Sequence, residues 1–255
     1  MKNKFTILGC GSSLGSPWIT NYKGKLKKNS KNLRTRCCAH FYYKGLSFLI
    51  DTSPDIKYQF LKNKIKSLDA IMYTHDHSDQ TSGIFEMRPF YWKNKKKIPV
   101  YGSSRTIKSL INKYLFCFKP RFGYKPIMTA KIVKNSFKIE INKKVLQVKA
   151  FDVVHGMINA TGFMFNNIAY ISDCNKIPAS SLKNLYNLDF LIIDCLKIKK
   201  HPSHFNLEEA LSLVNKVKPK KTILTNLHTD LDYTDLKKKL PKNIVPAFDG
   251  LSFNF

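Results

Sequence analysis

The stretch THDHSDQ, residues 74–80, is the most informative part of this sequence. It sets two imidazoles and a carboxylate at alternate positions directly after the apolar run 69–73, which predicts a short strand that releases the chain into a loop. Imidazole and carboxylate ligands together suit zinc, manganese or iron. His75, His77 and Asp79 are therefore predicted to bind a metal ion, against the alternative of solvated loop side chains.

Length and composition favour one α/β domain over residues 1–255. The chain is 43% hydrophobic and can bury a sizeable core. The first residues are polar and run straight into a short strand at 5–8, and no uninterrupted apolar stretch approaches the length needed to cross a bilayer. We expect a soluble cytoplasmic protein with no membrane partner, and the sequence leaves a homodimer open.

The cysteines indicate a reduced protein. The chain has six cysteines without C-x-x-C spacing, which predicts small buried residues and no disulfides. Cys37 and Cys38 follow Arg34 and Arg36, so a thiolate or an additional metal site at this point remains an alternative.

The formal charge of +27 suggests an anionic partner. Only five of the 44 basic residues are arginine, the residue preferred for bidentate contacts with phosphates and bases. The lysine excess accompanies many Asn and Ile residues, as in proteins of AT-rich genomes. A small anionic substrate is therefore expected, and nucleic acid is an alternative that the composition does not favour.

Strands and helices are predicted in both halves of the chain, which indicates a layered α/β fold. The apolar patterns predict strands at 5–8, 37–43, 46–50, 69–73, 98–101, 145–153, 161–165, 168–171, 190–193 and 222–224. Helices are predicted at 54–63, with Ser53 or Thr52 as its cap, at 103–113, after Pro178, and at 206–215, where Asn206 and Glu209 match a capping box.

Further polar residues follow these strands. His155, Asp173, Asp194, Asn226 and His228 all stand at or just after predicted strand ends. Six of the seven histidines lie in these motifs, in the first motif or in HPSH at 201–204. Because binding sites in layered α/β folds collect where strands end, these residues are candidate partners of the first motif.

The ordered motifs resemble those of the metallo-β-lactamase fold hydrolases, in particular the phosphoribosyl 1,2-cyclic phosphate phosphodiesterase branch. The resemblance rests on GCGSSLGSP (9–17), LIDTSPD (49–55), YTHDHSDQTSGI (73–84), the lone His155, ISDC (171–174), HPSHFN (201–206), TNLHTDLDY (225–233) and AFDGL (247–251). It implies a four-layer αβ/βα sandwich with the metal site at one edge.

The resemblance also implies roles for individual residues. His75, His77 and His155 would hold one divalent metal, zinc or manganese, and Asp173 would bridge to a second metal that Asp79 also binds. Asp51 would orient a ligand imidazole and fix its tautomer.

Two departures from the superfamily pattern affect the second metal. Gln80 stands where the first motif usually ends in histidine, and Asn226 stands where a late strand usually supplies one. An amide is a poorer transition-metal ligand than imidazole, so the second site should be weaker, prefer harder ions, or recruit His228. His228 is otherwise a substrate contact or a hydrogen-bonded loop residue.

The expected activity is hydrolysis of a small phosphate ester, such as a cyclic phosphate or nucleotide, by a metal-activated hydroxide. Asp79 would position the nucleophile, and His204 would protonate the leaving alkoxide or hold the phosphate. Ser12 and Ser13 are minor candidates for phosphate binding. The alternatives are a ribonuclease of the transfer-RNA processing kind, and a non-catalytic nucleotide- or RNA-binding protein with a degenerate second metal site. Thiolesters and lactones also remain open as substrates.

Overall fold

A computed structural model describes residues 2–121 and 123–255. Within these residues the strands are β1 (Lys4–Gly9), β2 (Cys38–Tyr43), β3 (Leu46–Ile50), β4 (Ala70–Met72), β5 (Ile98–Gly102), β6 (Met128–Ile132), β7 (Ser136–Ile141), β8 (Lys144–His155), β9 (Ile158–Phe165), β10 (Ile168–Ile171), β11 (Phe190–Asp194), β12 (Lys221–Thr225), β13 (Ile244–Pro246) and β14 (Ser252–Asn254). The α-helices are α1 (Ile56–Lys62), α2 (Ser78–Thr81), α3 (Arg88–Asn94), α4 (Ser104–Lys113), α5 (Leu115–Phe118), α6 (Ala179–Leu182), α7 (Leu207–Val217) and α8 (Tyr233–Lys239).

The strands form two mixed sheets of seven strands each. The first sheet has the order β14-β1-β2-β3-β4-β5-β6, and the second has the order β13-β12-β11-β10-β9-β8-β7. Strands β3 to β6 run parallel in the first sheet, and strands β10 to β13 run parallel in the second. The remaining neighbours are antiparallel.

Three apolar cores separate four layers. The central core joins the two sheets and includes Phe5 and Phe41 from the first sheet and Phe163 and Tyr170 from the second. A second core packs the outer face of the first sheet against α1, α4 and α5, and a third packs the outer face of the second sheet against α7 and α8. Apolar residues on both faces of each sheet thus give the predicted four-layer αβ/βα sandwich, which the structure confirms.

Most predicted elements are present, with one error in capping and several omissions. Helix α7 begins at the predicted cap, where the Asn206 side chain accepts from Glu209 N and Glu209 accepts from Asn206 N. Helix α1 instead begins after Asp55, and the Ser53 hydroxyl donates to Gln59 Oε1. The prediction of a Ser53 or Thr52 cap is wrong because the helix starts later: Ser53 accepts only from Asp55 N, before the first helical residue, and Thr52 bonds to Tyr73.

The cysteine expectation is confirmed for all six thiols, which are buried and free. Burial raises the pKa of both Cys37 and Cys38 well above the ordinary value. Burial thus opposes the thiolate form at this pair, although Arg34 and Arg36 are near in sequence. Separately, none of the helices in the described part of the chain is long and apolar enough to cross a membrane.

The loop after β1 is fixed by residues distant in sequence. Asp249 accepts hydrogen bonds from the backbone of Cys10 and from both the backbone and hydroxyl of Thr35. The buried Arg34 guanidinium donates to the carbonyl oxygens of His228 and Leu231. These bonds join the glycine-containing loop 9–17 to the segment after β12.

Candidate active site

The candidate ligands meet at one edge of the sandwich, where strands of both sheets end. His75 and His77 follow β4 in the first sheet. In the second sheet His155 ends β8, Asp173 follows β10 and Asn226 follows β12. Carboxyl ends of parallel strands share one edge of a sheet, so the two halves of the chain bring these residues together.

Three imidazoles form the first candidate metal site. The available ligand atoms of His75, His77 and His155 all lie within 4.8 Å of one another. Nδ1 of His77 and Nε2 of His155 face each other at 3.2 Å. Nε2 of His75 is buried and has no hydrogen-bond partner. A buried polar atom of this kind normally has a partner, so its position suits a metal bond.

The other nitrogen of His75 is held by a short chain of hydrogen bonds. The Thr74 hydroxyl donates to Asp51 Oδ2 at 2.9 Å, and Thr74 N donates to Asp51 Oδ1 at 2.8 Å. The only proton of this hydroxyl is donated to Asp51, so its oxygen accepts a hydrogen bond from Nδ1 of His75, 3.0 Å away. His75 therefore carries its proton on Nδ1 and presents the lone pair of Nε2. Asp51 is linked to this imidazole through the Thr74 hydroxyl.

Burial and hydrogen bonding act in opposite directions on Asp51. Burial raises the pKa of this fully buried carboxyl well above its usual value, while both bonds from Thr74 lower it. Asp51 also has a φ of +64°, a conformation that Asp and Asn tolerate better than most residues. This backbone conformation just after β3 thus places the Asp51 carboxylate where Thr74 can donate two hydrogen bonds to it.

His155 has an analogous arrangement with a backbone partner. Its Nδ1 lies 2.7 Å from the carbonyl oxygen of Ser203, which can only accept. The proton of neutral His155 is therefore on Nδ1, and Nε2 presents its lone pair toward His77. The sequence motifs did not reveal this contact, because a carbonyl partner carries no side-chain signature.

The second group of candidate ligands surrounds Asp173. The amide nitrogen of Gln80 lies 3.3 Å from both Asp79 Oδ2 and Asp173 Oδ2. The amide nitrogen of Asn226 lies 3.3 Å from Asp173 Oδ1. Burial and the nearby Asp173 carboxylate raise the pKa of Asp79 to about 6. Asp79 and Asp173 are therefore neighbours, as the resemblance implied.

His204 lies beside this group and pairs with a buried carboxylate. Its Nδ1 is 2.8 Å from Asp194 Oδ2 and 3.8 Å from Asp173 Oδ1. Burial lowers the pKa of His204, but Asp194 outweighs this and raises it to about 9. With Nδ1 bound to Asp194, Nε2 is the nitrogen of His204 that is free to face the cleft.

A cleft of about 390 Å³ is lined by six of the residues described above: His77, Asp79, His155, Asp173, His204 and Asn226. Ser12 and Ser13 also line it, so the structure places both candidate phosphate contacts beside the metal ligands. Six lining residues were not candidates in the sequence analysis: Leu14, Trp18, Leu196, Lys197, His201 and Ser203. Lys197 comes three residues after Asp194, the last residue of β11. This position near a strand end was the only sequence feature that could have identified it as a site residue.

His228 occupies a different place from the one expected of a substitute ligand. It lines the cleft, but it belongs to neither group of potential metal ligands found among the described residues. Its Nδ1 lies 3.3 Å from Asp230 N, and its ring packs edge-on against Trp18. The structure thus places His228 on the wall of the cleft and Asn226 beside Asp173, and its assignment as a metal ligand stays a prediction.

The donor set fits a divalent ion of the zinc class. Three imidazoles meet at one place. In His75 and His155 the Nδ1 proton is directed away from the centre to an outer partner that fixes the orientation of the ring. His75, His77 and His155 would hold the ion, with Asp173 alongside.

A family model described as the beta-lactamase superfamily domain matches residues 47–226. This chain belongs to the metallo-β-lactamase superfamily of metal-dependent hydrolases. The matched range contains each of the three histidines and both carboxylates of the site. The superfamily that the motifs indicated is thus confirmed.

Similar solved structures extend over the whole chain. One described as a new diphosphatase from the PhnP family is 30% identical, with a TM-score of 0.90, and the match covers 100% of this chain and 98% of that one. Zn(2+)-bound PqqB from Methylobacterium extorquens is 14% identical with a TM-score of 0.79, covering 99% and 100%. The short form of human tRNase Z is 18% identical with a TM-score of 0.71, covering 98% of each chain. The last two likenesses show the fold alone.

A curated relative has a different name. An octanoyltransferase of Porphyromonas gingivalis (strain ATCC BAA-308 / W83) is 27% identical over 251 residues, which are 96% of this chain and 50% of the relative. This chain spans about half the length of that relative.

Proposed function

We propose that the protein is a phosphodiesterase acting on a small phosphate ester such as a cyclic phosphate or a nucleotide. The observation that carries the proposal is one cleft lined by His77, His155, Asp79, Asp173 and His204, with the third histidine, His75, and the partner of His204, Asp194, buried behind it. A divalent ion held by the histidines would lower the pKa of water and stabilise negative charge on phosphoryl oxygens.

The protein's own residues supply the remaining steps. Asp79 accepts a hydrogen bond from attacking water and directs it at phosphorus. His204 donates the proton on Nε2 to the leaving alkoxide, while Asp194 holds Nδ1 and stabilises the ring's orientation. Lys197 attracts the phosphate by its charge, and Ser12 and Ser13 can donate hydrogen bonds to it.

Relatives support the phosphate chemistry without deciding the substrate. The PhnP-family structure is described as a diphosphatase, which also acts at phosphorus, and it matches the whole chain. The name octanoyltransferase belongs to a protein twice as long, so that activity is not assigned to this chain.

Hydrolysis of bis(p-nitrophenyl) phosphate with added manganese or zinc tests the proposal. Turnover is expected from the wild type, and His75→Ala should abolish it because His75 Nε2 is a central ligand atom. His40→Gln is the matched control, because His40 lies outside the cleft and bonds to Ser47. Turnover of pre-tRNA at a rate matching that of small diesters would favour the ribonuclease alternative. Salt-sensitive nucleotide binding without turnover under any metal would favour the binding-protein alternative.

A further inference from the structure

Both carboxylate oxygens of Asp173 are occupied by amide donors. Gln80 Nε2 lies 3.3 Å from Asp173 Oδ2, and Asn226 Nδ2 lies 3.3 Å from Asp173 Oδ1. The same two amides also reach Asp79 and Asp194. Gln80, Asn226 and Asp173 are at most 4% exposed, so these bonds are shielded from water. We name Gln80, Asp173 and Asn226 the amide clamp.

The orientation of the amides follows from their surroundings. An amide nitrogen has two protons to donate and no lone pair for a metal, whereas its oxygen only accepts. Turning either amide around would place its oxygen against carboxylate oxygens with no proton between them. Gln80 and Asn226 therefore direct their nitrogens at Asp173, so a hydrogen-bond donor faces this carboxylate from each of the two positions where the superfamily carries a histidine.

A second limit comes from His155. Two groups of residues could each hold an ion: the three-histidine site, and a group of His155, Asp173 and His204. His155 belongs to both, yet its Nδ1 is committed to the Ser203 carbonyl oxygen, so it has one ligand nitrogen, Nε2. One imidazole nitrogen binds one ion, so the two groups cannot be filled together.

We propose that this protein binds a single divalent ion per chain, at His75, His77 and His155, and that the amide clamp replaces the second metal of the superfamily. The clamp keeps Asp173 in place by hydrogen bonds where an ion would otherwise bridge it to Asp79. The second position therefore binds no metal, whereas the substitutions alone predicted only weaker binding there.

Counting bound ions tests this inference without measuring activity. Metal-free protein is titrated with zinc, and separately with manganese, and the ions per folded chain are counted by native mass spectrometry and by calorimetry. The wild type should bind one ion, and His75→Ala should bind none at the same concentrations. The double variant Gln80→His with Asn226→His restores two imidazoles and should bind two.

A matched control distinguishes the effect of removing the amide from the effect of adding a ligand nitrogen. Gln80→Met removes the amide without adding a nitrogen ligand, so it should still bind one ion. Two ions of similar affinity in the wild type would overturn the inference, and so would one ion that remains after His75→Ala. The wild-type count is decisive even if the double variant does not fold. A protein that binds one ion but cleaves no phosphodiester would support this inference and refute the proposed function.

Discussion

Replacing Thr74 with valine should weaken metal binding although Thr74 is not a ligand. The substitution keeps the shape of the side chain but removes the hydroxyl that joins Asp51 to Nδ1 of His75. Thr74 N still donates to Asp51 Oδ1, so the backbone retains its anchor. Losing an outer partner of a ligand histidine typically lowers metal affinity by about 10- to 100-fold, or roughly 1.4–2.7 kcal/mol.

The direction of this effect follows from the proton on His75. Without the hydroxyl, Nδ1 of His75 has no acceptor for its proton, and the imidazole can take the tautomer that protonates Nε2, the atom meant for the metal. Asp51 Oδ2 also loses its partner while fully buried, which should lower the free energy of unfolding by about 1–3 kcal/mol. Both losses come from one hydroxyl.

Competition with a chromophoric chelator measures the affinity of metal-free Thr74→Val, and urea unfolding measures its stability. Thr74→Ser, which restores the hydroxyl, should regain most of the affinity. Thr222→Val is the matched control, because Thr222 is equally buried but its hydroxyl has no partner in the structure. If Thr74→Val binds metal as tightly as Thr222→Val, the hydrogen-bond chain does not orient His75.

Three other properties should change in defined ways. His204→Gln cannot donate the proton and should lower turnover of a phosphodiester by about 10²- to 10⁴-fold, with the number of bound ions unchanged by mass spectrometry. Burial lowers the pKa of His40 to about 3, so only the unfolded chain takes up its proton as the pH falls from about 6.5 toward 3. The free energy of unfolding should then decrease by about 1.4 kcal/mol per pH unit in this window, and urea titrations at pH 7 and 5 should show a smaller decrease for His40→Gln. Asn206→Ala removes the side-chain bond of the capping box, while the backbone N–H of residue 206 can still donate to Glu209, and it should lower the free energy of unfolding by about 1 kcal/mol, measured by thermal denaturation against an Asn215→Ala control at an exposed position of the same helix.

Buried strands were predicted well because their apolar runs are continuous. Strands such as β10 and β11 are buried at nearly every position, and their ends carry the polar residues of the site. Strands β6 and β7 lie at the edges of the sheets and were missed because the prediction relied on continuous apolar runs, although β7 alternates polar and apolar residues as a half-buried strand does. The sequence thus predicted the strands that position the ligands better than those that complete the sheets.

The ligand types followed from the motifs, but the direction of each polar group did not. The sequence identifies Gln80 and Asn226 as departures from histidine, yet only their placement on either side of Asp173 shows that they act as donors. Likewise, HPSH marks His204 as a candidate, whereas its pairing with Asp194 depends on how segment 195–203 returns to the strand end. Hydrogen-bond direction is a property of three-dimensional neighbours and has no local pattern.

The three-histidine site joins the two sheets. His75 and His77 belong to the first sheet and His155 to the second, so a bound ion acts as a crosslink across the end of the sandwich. The site is complete only when segment 75–77 and residue 155 have both reached their final positions. Metal binding therefore requires that both sheets have folded and packed together. At a free ion concentration 100 times the dissociation constant, this crosslink would add about 2.7 kcal/mol to the free energy of unfolding. Metal supply would therefore set how long the protein survives proteolysis as well as whether it is active.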